Sequence, residues 1–278
     1  MSSILTNNSA MNALSTLRNV NSNLSETQNR ISTGMKVNSA KDNASYFSIS
    51  TTMKSEGGMN KAVNEGLTLT KNSISTARLG AETMVDLSQQ FVDRLAFAQT
   101  EGVDQADVQK ELTSLAAQMA TAINQSSFNG ENLISAAGAG AKDVVSGVSR
   151  SGATLSTTKI SFTSTDLEAV QTSFATIAID NTTTAADLEL ALTNAEGFLS
   201  SVTDAATDLG IAEKQVETQQ NFLSELGDRL DSGVGSMVDA DMEKEAARLQ
   251  SLQVQQQLST QSLSIANQAP QNILSLFR

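Results

Sequence analysis

From Asn60 to Ala98 small and apolar residues recur at alternating intervals of three and four: Asn60, Val63, Leu67, Thr70, Ile74, Ala77, Ala81, Met84, Ser88, Phe91, Leu95 and Ala98. A mean spacing of 3.5 keeps one helical face turned toward a partner helix, so a seam held over about five heptads demands coiled-coil packing. A second seam opens at Thr184, with Asp187 three residues later as a capping pair. It runs through Leu188, Leu192, Ala195, Leu199, Val202, Ala206 and Leu209, slips by one residue beside Gly210, and resumes at Ala212, Val216, Gln219, Leu223, Leu226, Leu230, Gly233 and Met237. These two runs predict a mainly α fold built on long antiparallel coiled-coil helices, with Val63, Leu67, Ile74, Phe91, Leu95, Leu223, Leu226 and Leu230 in the rod seam.

Between the seams lies a third helical stripe, Val108, Leu112, Leu115, Met119 and Ala122, with Asp104 placed to cap it and Asn129-Gly130 as a turn after it. From about Ser135 to Thr183 the texture changes to Gly, Ser and Thr. Short runs such as "TKISFT" and "TIAID" read there as β-strands on a small insertion. The "GAGA" stretch at Gly138 lacks the flanking strand and helix start of a phosphate-binding loop, and reads as a flexible link.

The ends of the chain differ from its body. Of 18 bases and 30 acids, none lies between Met1 and Leu17 or between Leu249 and Phe277. The N-terminal stretch still carries a seam, Ile4, Met11, Leu14, Leu17, Val20, Leu24 and Ile31, before Gly34, Asn38 and Asp42 mark a break. The solvent side of an ordinary bundle helix is rich in Lys and Glu. Here it is Gln, Ser, Asn and Thr, which can be buried against copies of the same chain without stranding charge. One seam buries too little apolar surface to order some thirty residues alone, so the ends are expected to become helical where several such surfaces meet. The last helix opens on "VDADMEKEA", acids gathered where a helix N-terminus favours them and spaced two apart, a charge cap rather than a metal cluster. Pro270 is expected to end it.

Composition removes whole classes of function. With no His and no Cys, the commonest general base, the thiol nucleophiles and the usual zinc ligands are gone, so no catalytic residue, metal site or cofactor is expected. A net charge of −12 repels nucleic acid and anionic membranes, and no long apolar run could span a bilayer. The first residues lack the basic start and continuous apolar run of a cleavable signal peptide.

Two stretches carry a family likeness. "RISTGMKVNSAKDNAS", Arg30 to Ser45, resembles the signature of bacterial flagellins that leads from the terminal helix into the rod. "VDADMEKEAARLQSLQ" through Ala266, Asn267, Pro270, Gln271, Leu274 and Leu276 resembles their final helix. The resemblance implies a structural subunit that self-assembles into the extracellular flagellar filament. Its terminal helices would pair in the filament core, through Ile4, Met11, Leu14, Leu17, Leu24 and Ile31 at one end and Leu249, Leu252, Leu263, Ala266, Leu274 and Leu276 at the other.

The implied segments are residues 1–40 and 239–278 for that core, 41–134 and 184–238 for the rod, and 135–183 for a small β-rich surface insertion. The implied partners are other copies of the chain, the flagellar export apparatus and its chaperone, and the filament cap and hook-associated proteins. A hook–filament junction protein is the alternative. At the stretch matching the receptor-recognised part of the family's rod, "QQFVDRLAFAQ", Phe91 and Asp93 stand where that pattern is basic, so the likeness does not extend to innate immune recognition.

Overall fold

The computed structural model describes residues 7–275 except Ala153, and their side chains except those of Ser151 and 269–275. Among the described residues six helices and one hairpin follow in the order α1 (Asn8–Thr33), α2 (Ala44–Phe97), α3 (Gln105–Gln125), β1 (Gly140–Ser151), β2 (Thr154–Ser164), α4 (Leu167–Ala175), α5 (Ala185–Val238) and α6 (Met242–Ser275). They form two compact units: one is Glu56–Asp228, the other the chain up to Ser55 together with the chain from Arg229 on.

In the Glu56–Asp228 unit, α2 and α5 run antiparallel, since Thr68, Lys71 and Arg78 meet Gln220, Glu217 and Glu213 in that order. Burial on α2 follows the heptads: Leu67, Ile74, Ala81, Ser88 and Leu95 are buried at one position of the repeat and Ala77, Met84, Phe91 and Ala98 at the other, with Val63 half-buried. On α5 Leu188, Ala195, Val202, Leu209, Val216 and Leu223 are buried at strict sevens, with Ala205 and Ala212 as their companions. No slip therefore occurs at Gly210. Ala191, Phe198 and Ala205 hold the second seam position, and the apolar Leu192, Leu199 and Ala206 beside them obscure it in the sequence; those two leucines are half-buried on the flank.

Local rules set the ends of these helices. Asp104 accepts the Ala106 N–H to cap α3, and the Thr184 hydroxyl and the Asp187 carboxylate share a hydrogen bond at the start of α5. Asn129 and Gly130, at φ +50° and +83°, form the tight turn between the bridged residues Phe128 and Glu131. Gly80 lets α2 approach the end of α3, because a Cβ there would stand 1.9 Å from Ser126 Oγ and 2.9 Å from Ile134 Cδ1.

Of the two runs expected as strands in the insertion, only one is a strand. "TKISFT" does lie in β2, paired antiparallel with β1, but "TIAID" is not a strand. Its backbone is bound by Gln109 instead: the Ile179 N–H donates to Gln109 Oε1 at 2.7 Å, and Gln109 Nε2 donates to the Ile177 carbonyl at 3.5 Å. Just before it comes α4, where Asp166 caps the Glu168 and Ala169 N–H groups and Leu167 and Phe174 are buried. Phe174 packs edge-on to Phe91 at 5.1 Å and to Phe198 at 5.4 Å between ring centres.

The hairpin also lies against the rod helices. Ser146 is the extra residue of a β-bulge, and its unpaired carbonyl accepts from Gln219 Nε2 at 2.7 Å. Val144 and Phe162 join the core, while Arg150 reaches Glu56. The "GAGA" stretch is a formed turn rather than a loose link: at Gly138 a Cβ would lie 1.8 Å from the Asn132 carbonyl oxygen, and Gly140, at φ +115°, begins β1.

Candidate assembly surface

The other unit is built on α1 and α6. They run antiparallel, with Asn7 against Ala266, Asn21 against Gln256 and Arg30 against Glu245. Besides Arg30, the residues with reduced exposure on α1 are Ala10, Ala13, Leu17, Val20, Leu24, Thr27 and Ile31; on α6 they are Glu245, Leu249, Leu252, Gln256, Ser259, Leu263 and Ala266. Both rows are heptad seams. Gly34, in the left-handed conformation at φ 71°, ends α1, and the chain then bridges from Met35 to Asp239. There Val37, Val234 and Val238 make a small core with Met35, Phe47 and Met53.

Of the residues expected at this core, Leu17, Leu24, Ile31, Leu249, Leu252, Leu263 and Ala266 fall in the α1–α6 seam. Met11 and Leu14 do not: they are 62% and 37% exposed, and Ala10 and Ala13 take the seam places beside them. Small residues are silent in an apolar-periodicity reading, so the larger neighbours drew the assignment. Ile4, Leu276 and the side chain of Leu274 lie outside the described residues. In the rod, Leu67, Ile74, Phe91, Leu95 and Leu223 are buried, and Val63, Leu226 and Leu230 half-buried.

The exposed face of α6 is unusual. Val254, Leu258 and Ile265 are 56%, 62% and 64% exposed. At 100° per residue they fall together on the side of the helix opposite its seam with α1. The helix is thus apolar on two opposed faces, of which α1 covers one. Nothing charged interrupts either face after Arg248. Met11 lies well away from the seam of α1 and adds to the uncovered surface.

Apart from Arg18 on α1, the charges of the pair gather toward its other end. The Asp241 carboxylate accepts the Lys244 N–H and caps α6, as an N-terminal acid should. Glu245 behaves otherwise: it is 7% exposed, in the seam, with Oε1 3.2 Å from Arg30 Nη1 and Oε2 unpartnered among the described residues. In the sequence it is one of the acids of the charge cap, and only the register of the pair reveals it facing α1. Arg30 also pairs with Glu26 one turn before it. In the rod, the Arg78 guanidinium is held further into its charged form by Glu213 at 2.7 Å and then by Glu82.

Comparison with known proteins agrees with this architecture. The family profile for the bacterial flagellin N-terminal helical region matches residues 4–139, and that for the C-terminal helical region matches 192–277. The stretch between them holds β1, β2, α4 and the start of α5. A flagellin of Brucella melitensis is 42% identical over 289 residues, covering all of both chains. Flagellin C of Rhizobium meliloti is 36% identical over 320 residues, again with full coverage of both, and flagellin FljM of Caulobacter vibrioides 34% over 290, covering all of this chain and 99% of its own. A flagellar hook-associated protein from Vibrio parahaemolyticus shares the fold with a TM-score of 0.51 at 12% identity, over 71% of this chain and 100% of its own. At that identity the likeness is one of fold alone, and the full-length relatives do not favour a junction protein. Paired terminal helices, an antiparallel heptad rod and two matching terminal regions make this chain a member of the bacterial flagellin family, a structural subunit of the flagellar filament.

Proposed function

We propose that the chain assembles through the face of α6 that α1 leaves uncovered. The carrying observation is the pair of opposed apolar faces on one uncharged helix: Leu249, Leu252 and Leu263 toward α1, and Val254, Leu258 and Ile265 away from it. A helix apolar on two sides packs on two sides. In this reading residues 1–40 and 239–278 form the filament core, 41–134 and 184–238 the rod, and 135–183 the surface insertion. The subunit leaves the cell without a cleaved signal peptide, through the flagellar export apparatus and with a chaperone shielding its uncovered apolar stripe. It grows beneath a filament cap and joins hook-associated proteins at the base. No chemistry is assigned to it, since the chain has neither His nor Cys.

The test is Leu258→Glu in the full chain, offered to filament seeds and followed by electron microscopy. Leu258 is 62% exposed in the subunit, so the substitution removes little internal packing. An unpaired charge buried at every lattice position costs several kcal/mol each, so growth should stop while the circular dichroism of the subunit stays unchanged. Normal filaments at normal subunit concentration would show that this face is not an intersubunit contact.

A further inference from the structure

Helix α6 continues to Ser275 although Pro270 stands inside it. Proline has no N–H, so the carbonyl four residues back, that of Ala266, loses its helical donor. An orphaned carbonyl in a half-buried seam would ordinarily favour ending the helix there, which is why the sequence reading stops at Pro270. In the structure the vacancy is filled from the other end of the chain: Asn7 Nδ2 donates to the Ala266 carbonyl oxygen at 2.8 Å.

The same amide has a second partner. Asn7 is the N-cap of α1, and its Oδ1 accepts the Ala10 N–H at 3.0 Å. One planar group thus supplies the missing acceptor at the start of α1 and the missing donor within α6. Only an amide can do both. Asp and Ser cap helices equally well, but a carboxylate has no proton to give, and a serine hydroxyl is too short to reach across the helix pair while capping.

We propose that Asn7 is the positioning residue that carries α6 past Pro270, so that the last turns of α6 are ordered only when α1 is in register against it. The proline makes the two termini interdependent: alone, α6 has a weak point at Ala266, and paired, it has none. Register is set at the same time, because a slip of either helix by one residue removes Asn7 from the carbonyl. The proposal rests on the filament reading, in which the paired termini form the core.

The test uses the full chain in seeded growth, with critical subunit concentration as the readout, in four proteins: parent, Asn7→Ser, Pro270→Ala and the double variant. Asn7→Ser keeps the cap and adds no charge, but strands the carbonyl. The expected result is a critical concentration about tenfold higher, the factor that corresponds to about 1.4 kcal/mol for one stranded partly buried acceptor. Pro270→Ala restores the N–H to the Ala266 carbonyl, so in that background Asn7→Ser should change the critical concentration by less than about twofold. Amide hydrogen exchange in the filaments after residue 270 should speed up in Asn7→Ser alone. A merely structural cap would give the same shift in both backgrounds, and that result, or no shift in either, overturns the proposal. A parent chain that forms no filaments at all removes the filament reading together with this one.

Discussion

The aromatic triad Phe91, Phe174 and Phe198 decides whether the middle segment is ornament or core. Phe174 sits on α4, outside the coiled-coil helices, yet it is wholly buried against rings from α2 and α5 at 5.1 and 5.4 Å. Truncation to alanine in such a site costs about 3–5 kcal/mol through lost transfer energy and the cavity left behind. Phe174→Leu keeps most of the volume and loses the two edge contacts, each worth about 0.5–1.5 kcal/mol, so its cost should lie between that of the parent and that of the alanine variant. Phe222→Ala is the control, since that ring is 57% exposed and its loss should cost less than about 0.5 kcal/mol. Urea titrations of the soluble subunit by far-ultraviolet circular dichroism measure all three, with the difference taken from the midpoint at constant slope. If Phe174→Ala unfolds within about 1 kcal/mol of the parent, α4 is not part of the rod's core and the insertion can be removed without consequence to the fold.

Two further outcomes follow from close contacts. Gly80→Ala would ordinarily stabilise a helix by about 0.5–1 kcal/mol, but here the new methyl meets Ser126 Oγ and Cβ and Ile134 Cδ1 at under 3 Å, so the sign reverses and thermal unfolding should show a loss of about 1–3 kcal/mol; a rise in melting temperature would contradict the packing of α2 on the end of α3. The Asp42 carboxylate accepts the Ser39 and Asn38 N–H groups and the Ser39 hydroxyl, which, Ser39 first, hold it below the usual carboxylate range. Its folded value being lowered, its contribution is present above the ordinary carboxylate pKa and lost as pH falls through the lowered one, so a carboxyl-carbon NMR titration should place its midpoint below that of an unstructured Asp, and a midpoint at or above it would refute the turn.

Legibility in the sequence followed the range of the interactions involved. The seam on α2, the caps at Asp104 and Thr184 and the turn at Asn129-Gly130 depend on neighbours within a few residues, and their signals survive in one dimension. The register of α5 was blurred because the second seam position is held by Ala191, Phe198 and Ala205, each next to an apolar residue, Leu192, Leu199 and Ala206, that fits a spacing of three and four equally well. Helix α4 hid behind the Ser and Thr around it, although Asp166 before Leu167, Val170 and Phe174 was a readable start. The non-strand at Ile177–Asp180 depends on Gln109, and the course of α6 through Pro270 on Asn7. No local pattern reports a partner that far along the chain. Family membership was legible from the two terminal stretches, whereas the stripe Val254, Leu258 and Ile265 became distinct from the seam only once α1 had claimed the opposite face.

The strict sevens on α5 also act as a reading frame. One residue added after Leu209 would turn every later seam position by about 100° about the helix axis, carrying Val216 and Leu223 from the interface to water and bringing charged neighbours in. Additions of whole heptads keep the phase, and additions of three or four locally unwind or overwind the pair. The hairpin obeys no such count at its tip, where β1 gives way to β2 at Gly152 beyond the bulge that Gln219 holds. Subunits of this design can therefore change length freely at the hairpin tip, while the rod admits insertions only in phase.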